Sequence, residues 1–402
     1  MLPSTGRPHL AIPGPSVMPD RVLAAMQRPA PNIYAGPLVE MVAGLLPDLR
    51  AVARTRHDVA IYIANGHGMW EAALSNLFSA GDSVLVLATG RFGLGWADVA
   101  RRLGLDVEVM DFGLSAPVDP ARLATRLRAD GGHAVRAVLA VHVDTATTVR
   151  NDIAAIRRAI DAAGHPALLA VDCIASLGCD VFEMDGWGVD VMIAASQKGL
   201  MTPPGLGFAF FGPKAAQAHA RAGLVTPYWD WAPRARPEQF YQLFGGTAPT
   251  HHLFALREAL TMLVHEEGVE AAWARHARHA RAIWAATEAW QEAGAMRLNI
   301  AERAARAHSV TCLSMTPPHA SALRDWLAET AEVTLGIGLG MAPPDDPAWH
   351  GWFRIGHMGH LNAHMVLGTL GAIEAGLRAL DLPHGNGALD AAAREIAAPR
   401  GA

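Results

Sequence analysis

The sequence predicts an α/β protein: a large domain on a mostly parallel sheet, followed by a smaller C-terminal α/β domain. Three observations predict it. Short β-rich runs alternate with helical segments at the spacing of βαβ units from residue 59 to 211. Asp144, Asp172 and Lys198 fall at or just past the C-terminal ends of such runs, where open α/β sheets place ligands. After about residue 245 long helical patterns take over, broken by a few short strands. These shifts divide the chain into an arm (1–20), a large domain (21–250), a small domain (251–385) and a tail (386–402).

Pro13, Gly14 and Pro15 forbid a helix near the N-terminus, so an extended arm is expected, of the kind that lies across a partner subunit. Asp20 can cap a helix over 21–26. A loop (29–37) leads to an amphipathic helix over 39–53, kinked or restarted at Pro47. Residues 59–64 (VAIYIA) read as a strand, followed by Asn65-Gly66-His67-Gly68 and a helix over 69–78. A glycine turn at a helix start can hold an anion on backbone N–H groups, although this one is neither a Walker loop nor a GxGxxG fingerprint. Strands are expected at 83–88, 107–110, 134–141, 167–171, 189–194 and 207–211. A loop over 89–95 carries Phe92, and helices fill 96–103, 120–128 and 151–163. Beyond residue 245 the expected helices are 251–267, 269–294, 319–330 and 363–379, with strands at 308–315 and 352–355.

Composition removes several function classes. Hydrophobic residues make up 51% of 402 residues, enough for a large core, and the net charge of −5 with no basic patch argues against a nucleic-acid or anionic-membrane binder. Cys173, Cys179 and Cys312 have no metal-ligand spacing and read as buried thiols of a reducing compartment; no metal site is expected. No signal peptide and no apolar run of 18 residues are present, which makes a cytoplasmic protein the expectation.

Of 33 basic side chains only Lys198 and Lys214 are lysines. Arginine cannot form an imine, so Lys198, between an apolar strand and the Pro203-Pro204-Gly205 turn, is the candidate amine nucleophile. An amine, an aspartate on the neighbouring strand end, a glycine turn and a nearby aromatic together suit pyridoxal phosphate. Lys198 would supply the imine and act as general base, and Asp172 would pair with the protonated ring nitrogen. Phe92 would cover a ring face, and Gly66, His67 and Gly68 would hold the phosphate.

PGPSVMPDRV, NGHGMWEAALSNLFSAGD, the block 141–207 ending in MIAASQKGLMTPPGLG, EEGVEAAWARHA and FRIGHMG together resemble class V aminotransferases of fold type I, in the alanine/serine–glyoxylate group. The resemblance spans about 13–360 and implies a pyridoxal phosphate transaminase. It would move an amino group from alanine, serine or aspartate to glyoxylate or pyruvate. It implies that Lys198 is the Schiff-base lysine, Gln197 a phosphate ligand and Asp172 the ring-nitrogen partner. Phe92 takes the stacking position, and Thr145 or Thr147 lies near the ring hydroxyl. Arg354 would grip the substrate α-carboxylate in a bidentate way. Thr247 would reach the partner's phosphate in a homodimer with shared active sites.

The sequence departs from the family at Phe244, where a tyrosine is usual, at Asn32-Ile33-Tyr34 and at His67. Tyr34, TGRFGLG and RIGHMG are similar to pyridoxamine–pyruvate aminotransferase, and Tyr34 becomes a candidate pocket residue. The extra arginine of that enzyme falls at Leu339, so free pyridoxamine is the runner-up substrate. A class V lyase would want a reactive cysteine near Arg354, and Cys312 sits in an apolar strand pattern instead.

Overall fold

The structure, a computed structural model, describes residues 6–294 and 296–399. The arm contributes a strand, β1 (His9–Ala11). The large sheet holds β2 (Asp58–Ala64), β3 (Ser83–Ala88), β4 (Asp106–Asp111), β5 (Val135–Val141), β6 (Leu168–Asp172), β7 (Val191–Ala195) and β8 (Gly205–Phe211). Its order is β2-β8-β7-β6-β5-β3-β4, parallel except for β8, which runs antiparallel to both neighbours. Parallel strands buried on both faces need near-continuous apolar runs, which is why these segments lack polar alternation. Alternate residues face two cores: Val59, Ile61, Leu169 and Val171 one way, Ala60, Tyr62, Ala170 and Ile193 the other.

β9 (Arg297–Leu298), β10 (Val310–Ser314), β11 (Val333–Ile337) and β12 (Trp352–Gly356) join β1 in a second sheet, ordered β1-β11-β12-β10-β9. The helix Val269–Gln291 links the two cores. Val269, Ala272 and Trp273 pack on the large-sheet core, whereas Ile283, Ala286 and Trp290 belong to the small one. By this packing we place the division between the domains inside that helix, not at residue 250.

Several expectations change. The arm pairs in parallel with β11 of its own chain, His9 beside Val333 and Ala11 beside Leu335, so its apolar Ala11 joins the small core. Asp20 is not the cap of the first helix but its first residue, and it pairs with Arg7; the cap position is Pro19. The helix Pro37–Ala53 runs through Pro47 without a restart, tied beside the proline by Arg257, which bonds the Gly44 carbonyl (3.2 Å) and pairs with Asp48. Phe92 lies in the first turn of a helix, Arg91–Arg102, not in a loop. The side chain that starts this helix is distant in sequence: buried Asp144 accepts the N–H groups of Phe92 (2.8 Å) and Gly93 (3.3 Å).

Candidate active site

A cavity of about 500 Å³ opens where the C-terminal ends of the large sheet face β11, β12 and the arm. Lys198, Asp172, Gln197, Thr145, Phe92, Gly66, His67 and Arg354 all line it.

Lys198 follows β7 in a loop that only these residues allow. A Cβ at Gly199 would come within 2.1 Å of the Leu177 carbonyl oxygen, so the residue after the lysine must be glycine. Ser196 fixes the loop through its N–H to Leu206 (2.9 Å) and its hydroxyl to Pro203 (2.8 Å). The arm adds Ser16, whose hydroxyl donates to the Lys198 carbonyl (2.7 Å) and whose N–H donates to that of Gln197 (2.9 Å). The Lys198 amine donates to the Pro13 carbonyl. Burial and the nearby Arg354 charge lower the amine to about 8, against the opposing pull of Asp172. Lys214, by contrast, is exposed on a surface helix.

Asp172 ends β6, beside Ile193 of β7. It is 3% exposed and burial pushes it up to about 6. Its Oδ1 accepts from Ile174 N–H and its Oδ2 from the Trp70 indole, both at 2.8 Å. Arg354 lies on β12 opposite Cys312 and Gly336. Its Nε donates to Ile337 and its Nη1 to Thr145, both at 2.7 Å, and burial lowers it to about 10. Among the described residues nothing bonds Nη2, and Nη1 gives only one of its two N–H groups to Thr145, so both terminal nitrogens keep a donor for a carboxylate.

Other expected residues fall elsewhere. Thr147 is buried beneath the cavity with its hydroxyl given to Thr89 (2.9 Å), so of the two threonines only Thr145 faces the opening. Gly68 is outside the lining, and Asn65 caps the helix Gly66–Leu77 by taking the N–H groups of His67 (3.1 Å) and Gly68 (3.3 Å). Those two amides are therefore engaged within the chain, while Gly66, His67 and Gln197 line the cavity beside them. Tyr34 is 86% exposed on the loop before Pro37 and does not reach the cavity of its own chain; exposed Thr247 does not either. Phe244 is core, edge-on to Phe240 at 5.6 Å. Leu339 lines the cavity.

Three contributors escaped sequence reading: Trp70, which bonds Asp172; Asp144 as an anchor for Phe92; and Ile12–Gly14, which roof the cavity. Only the last left a signal, in the Pro-Gly-Pro that fixes an extended backbone.

The residues present fit pyridoxal phosphate. The cavity holds a lowered amine and a buried carboxylate, and Gly66, at a helix N-terminus, and Gln197 share its lining. A walled-in amine beside a buried carboxylate at parallel strand ends defines an enzyme of amine and carbonyl chemistry. The model of the class V aminotransferases matches residues 48–349. A serine–glyoxylate aminotransferase of Methylorubrum extorquens is 37% identical over 379 residues, covering 92% of this chain and 91% of that protein. An L-aspartate–glyoxylate aminotransferase of Paracoccus denitrificans is 35% identical over 397 residues, 97% and 96% of the two chains. The crystal structure of ureidoglycine–glyoxylate aminotransferase from Bacillus subtilis superposes with a TM-score of 0.86 at 25% identity over 98% and 99% of the chains. That of pyridoxamine–pyruvate aminotransferase from Mesorhizobium loti does so with 0.86 at 24% over 98% of both, a likeness of fold. The chain belongs to the class V aminotransferase family and is a pyridoxal phosphate-dependent aminotransferase.

Proposed function

We propose that the protein moves the amino group of a small α-amino acid, namely serine, alanine or aspartate, to glyoxylate or pyruvate. The observation that carries this is Arg354, a buried guanidinium with an unbonded Nη2 in the cavity that holds Lys198. One buried cation suits one α-carboxylate, and the glyoxylate enzymes among its relatives supply the acceptor class.

When bound, pyridoxal phosphate supplies the electron sink that stabilises charge left at the substrate α-carbon. The chain's residues do the rest. Arg354 Nη2 holds the substrate carboxylate and so orients the α-carbon. Lys198 Nζ, lowered to about 8, would take the proton from that carbon and give it up again on the far side of the amino nitrogen, since a base near the working pH serves both directions. Asp172 stays ionised above about 6 and holds a proton on the ring nitrogen. Gly66, His67 and Gln197 would hold the phosphate, and Ile12–Gly14 would cover the site from above.

Exposed Thr247, and the exposed rings of Tyr34, Tyr228 and Tyr241, support a homodimer in which the partner completes the site. Among the described residues no helix is long and apolar enough to cross a membrane, and three buried free thiols suit a reducing, cytoplasmic setting. Apolar Leu339 in the lining weighs against free pyridoxamine as the donor, and Cys312, buried on β10 and pushed up to about 12, weighs against a lyase.

A half-reaction screen tests the proposal. Wild-type enzyme loaded with pyridoxal phosphate is mixed in turn with alanine, serine, aspartate and free pyridoxamine, and the carbonyl product is measured. Oxo acid from at least one amino acid is expected; product from pyridoxamine alone would overturn the reading.

A further inference from the structure

We propose that Trp70 is a positioning residue that holds the Asp172 carboxylate still and charged for the cofactor's ring nitrogen. The inference deepens the site reading above and rests on Asp172 being the partner of that nitrogen.

The Trp70 indole donates to Asp172 Oδ2 at 2.8 Å, while Ile174 N–H donates to Oδ1 at the same distance. Each oxygen thus has one protein donor and keeps a lone pair for another. Trp70 is 2% exposed, and its ring is fixed from several sides. The His67 ring stands edge-on to it at 4.7 Å and Phe92 at 6.2 Å, while a Cβ at Gly95 would come within 3.1 Å of it. The carboxylate therefore cannot turn without breaking a bond to an immobile donor.

The contact is not a by-product of burying an indole. The N–H groups of Trp96, Trp231 and Trp273 are buried with no partner, whereas those of Trp284 and Trp290 reach Thr311 and Glu374, so burial in this fold does not by itself bring an indole a partner. Electrostatics points the same way. Burial pushes Asp172 up toward neutrality, and the Ile174 and Trp70 bonds are the two largest influences that oppose it. An indole only donates, so it favours the acceptor-only, ionised carboxylate. Only that form can hold a proton on a ring nitrogen.

Binding to the cofactor-free enzyme tests this, read by equilibrium dialysis with two ligands. One is pyridoxal phosphate; the other is its carbocyclic analogue, with carbon in place of the ring nitrogen. Trp70→Phe keeps an aromatic ring, at the cost of a small void, and removes the donor. It should weaken pyridoxal phosphate roughly tenfold, the scale of a hydrogen bond to a charged group, and leave the analogue unchanged. Equal loss for both ligands, or loss for neither, overturns the proposal. If Trp70→Phe does not fold, the benzothienyl isostere of tryptophan at position 70 removes the same N–H without changing shape. Asp172→Asn run alongside must itself lose affinity for pyridoxal phosphate and not for the analogue. If Asp172→Asn passes and Trp70→Phe fails, only the positioning role falls. If Asp172→Asn fails, the ring-nitrogen assignment falls and Trp70 with it.

Discussion

The floor and the roof of the cavity are made in different ways. Asp172 and Lys198 stand on adjoining strand ends of one sheet, where register and the Gly199 turn set their spacing. Arg354, Ile337 and Pro13 come from β12, β11 and the arm, and meet the floor only because the small domain packs where it does. A floor fixed by a continuous ladder is hard to alter without losing the sheet, so it suits the groups every turnover needs. A roof assembled from separate segments can change its side chains and keep the chemistry. On this contrast, floor substitutions abolish turnover and roof substitutions change what is bound.

Lys198→Ala gives the largest effect: turnover in the alanine or serine half-reaction falls by roughly a thousandfold or more, the upper range for loss of a general base. The wild-type absorbance near ~420 nm on adding cofactor should vanish with it. Residual turnover within tenfold of wild type would show that the floor does not carry the chemistry. Arg354→Gln comes next, with kcat/KM reduced about 100-fold, as for removal of one member of a buried charge pair. The loss should sit mainly in KM, with kcat changed much less. A fall in kcat at unchanged KM would place Arg354 with the floor.

Gly14→Ala probes the strap between the two regions. The residue has φ +92°, and a Cβ there would lie within 2.5 Å of the Lys198 amine. The strain alone is about 1–3 kcal/mol. Thermal unfolding and steady-state turnover should therefore both decline, the second also because the lysine is displaced. Unchanged turnover would separate the arm from the site.

What could be read from the sequence follows the same division. The floor was legible because strand, turn and helix signals are local: SQKG before Pro-Pro-Gly and VDCIASLG after an apolar run place Lys198 and Asp172 without knowing the tertiary fold. β8 emerged as a strand, but its antiparallel sense did not, since pairing direction leaves no mark in a short apolar run. The capping of Phe92's helix by Asp144, 52 residues away, had no local signal, and neither had the Trp70–Asp172 bond across 102 residues. Resemblance supplied Arg354, whereas its bonds to Ile337 and Thr145 required the roof to be built. Thr247 was assigned by likeness to a two-subunit site and Tyr34 by likeness to pyridoxamine–pyruvate aminotransferase, and a single chain leaves both on its surface.

The smallest effect sharpens the contrast most. The floor's charges oppose folding in the cofactor-free protein. Asp172 lies near 6 in the fold, above its ordinary 3.8, so between those values the native state binds more protons than the unfolded one. The stability it contributes is complete only below about 3.8, declines as pH rises through 6, and above that the buried charge is a net cost. Lys198 has the opposite sign. Near 8 in the fold against 10.5 unfolded, it binds fewer protons than the unfolded chain in that window, so stability rises with pH from about 8 to 10.5. Asp172→Asn, which keeps the shape and one of the two acceptors but no charge, should therefore raise the melting temperature of the cofactor-free protein by about 1 °C at pH 8, for about 1 kcal/mol gained in a chain of 402 residues. The gain should shrink toward zero near pH 4, where wild-type Asp172 is already neutral. Calorimetry at the two pH values checks both. A variant less stable than wild type at pH 8 would mean that the donors from Trp70 and Ile174 outweigh desolvation, and that this charge is held by the fold and not against it.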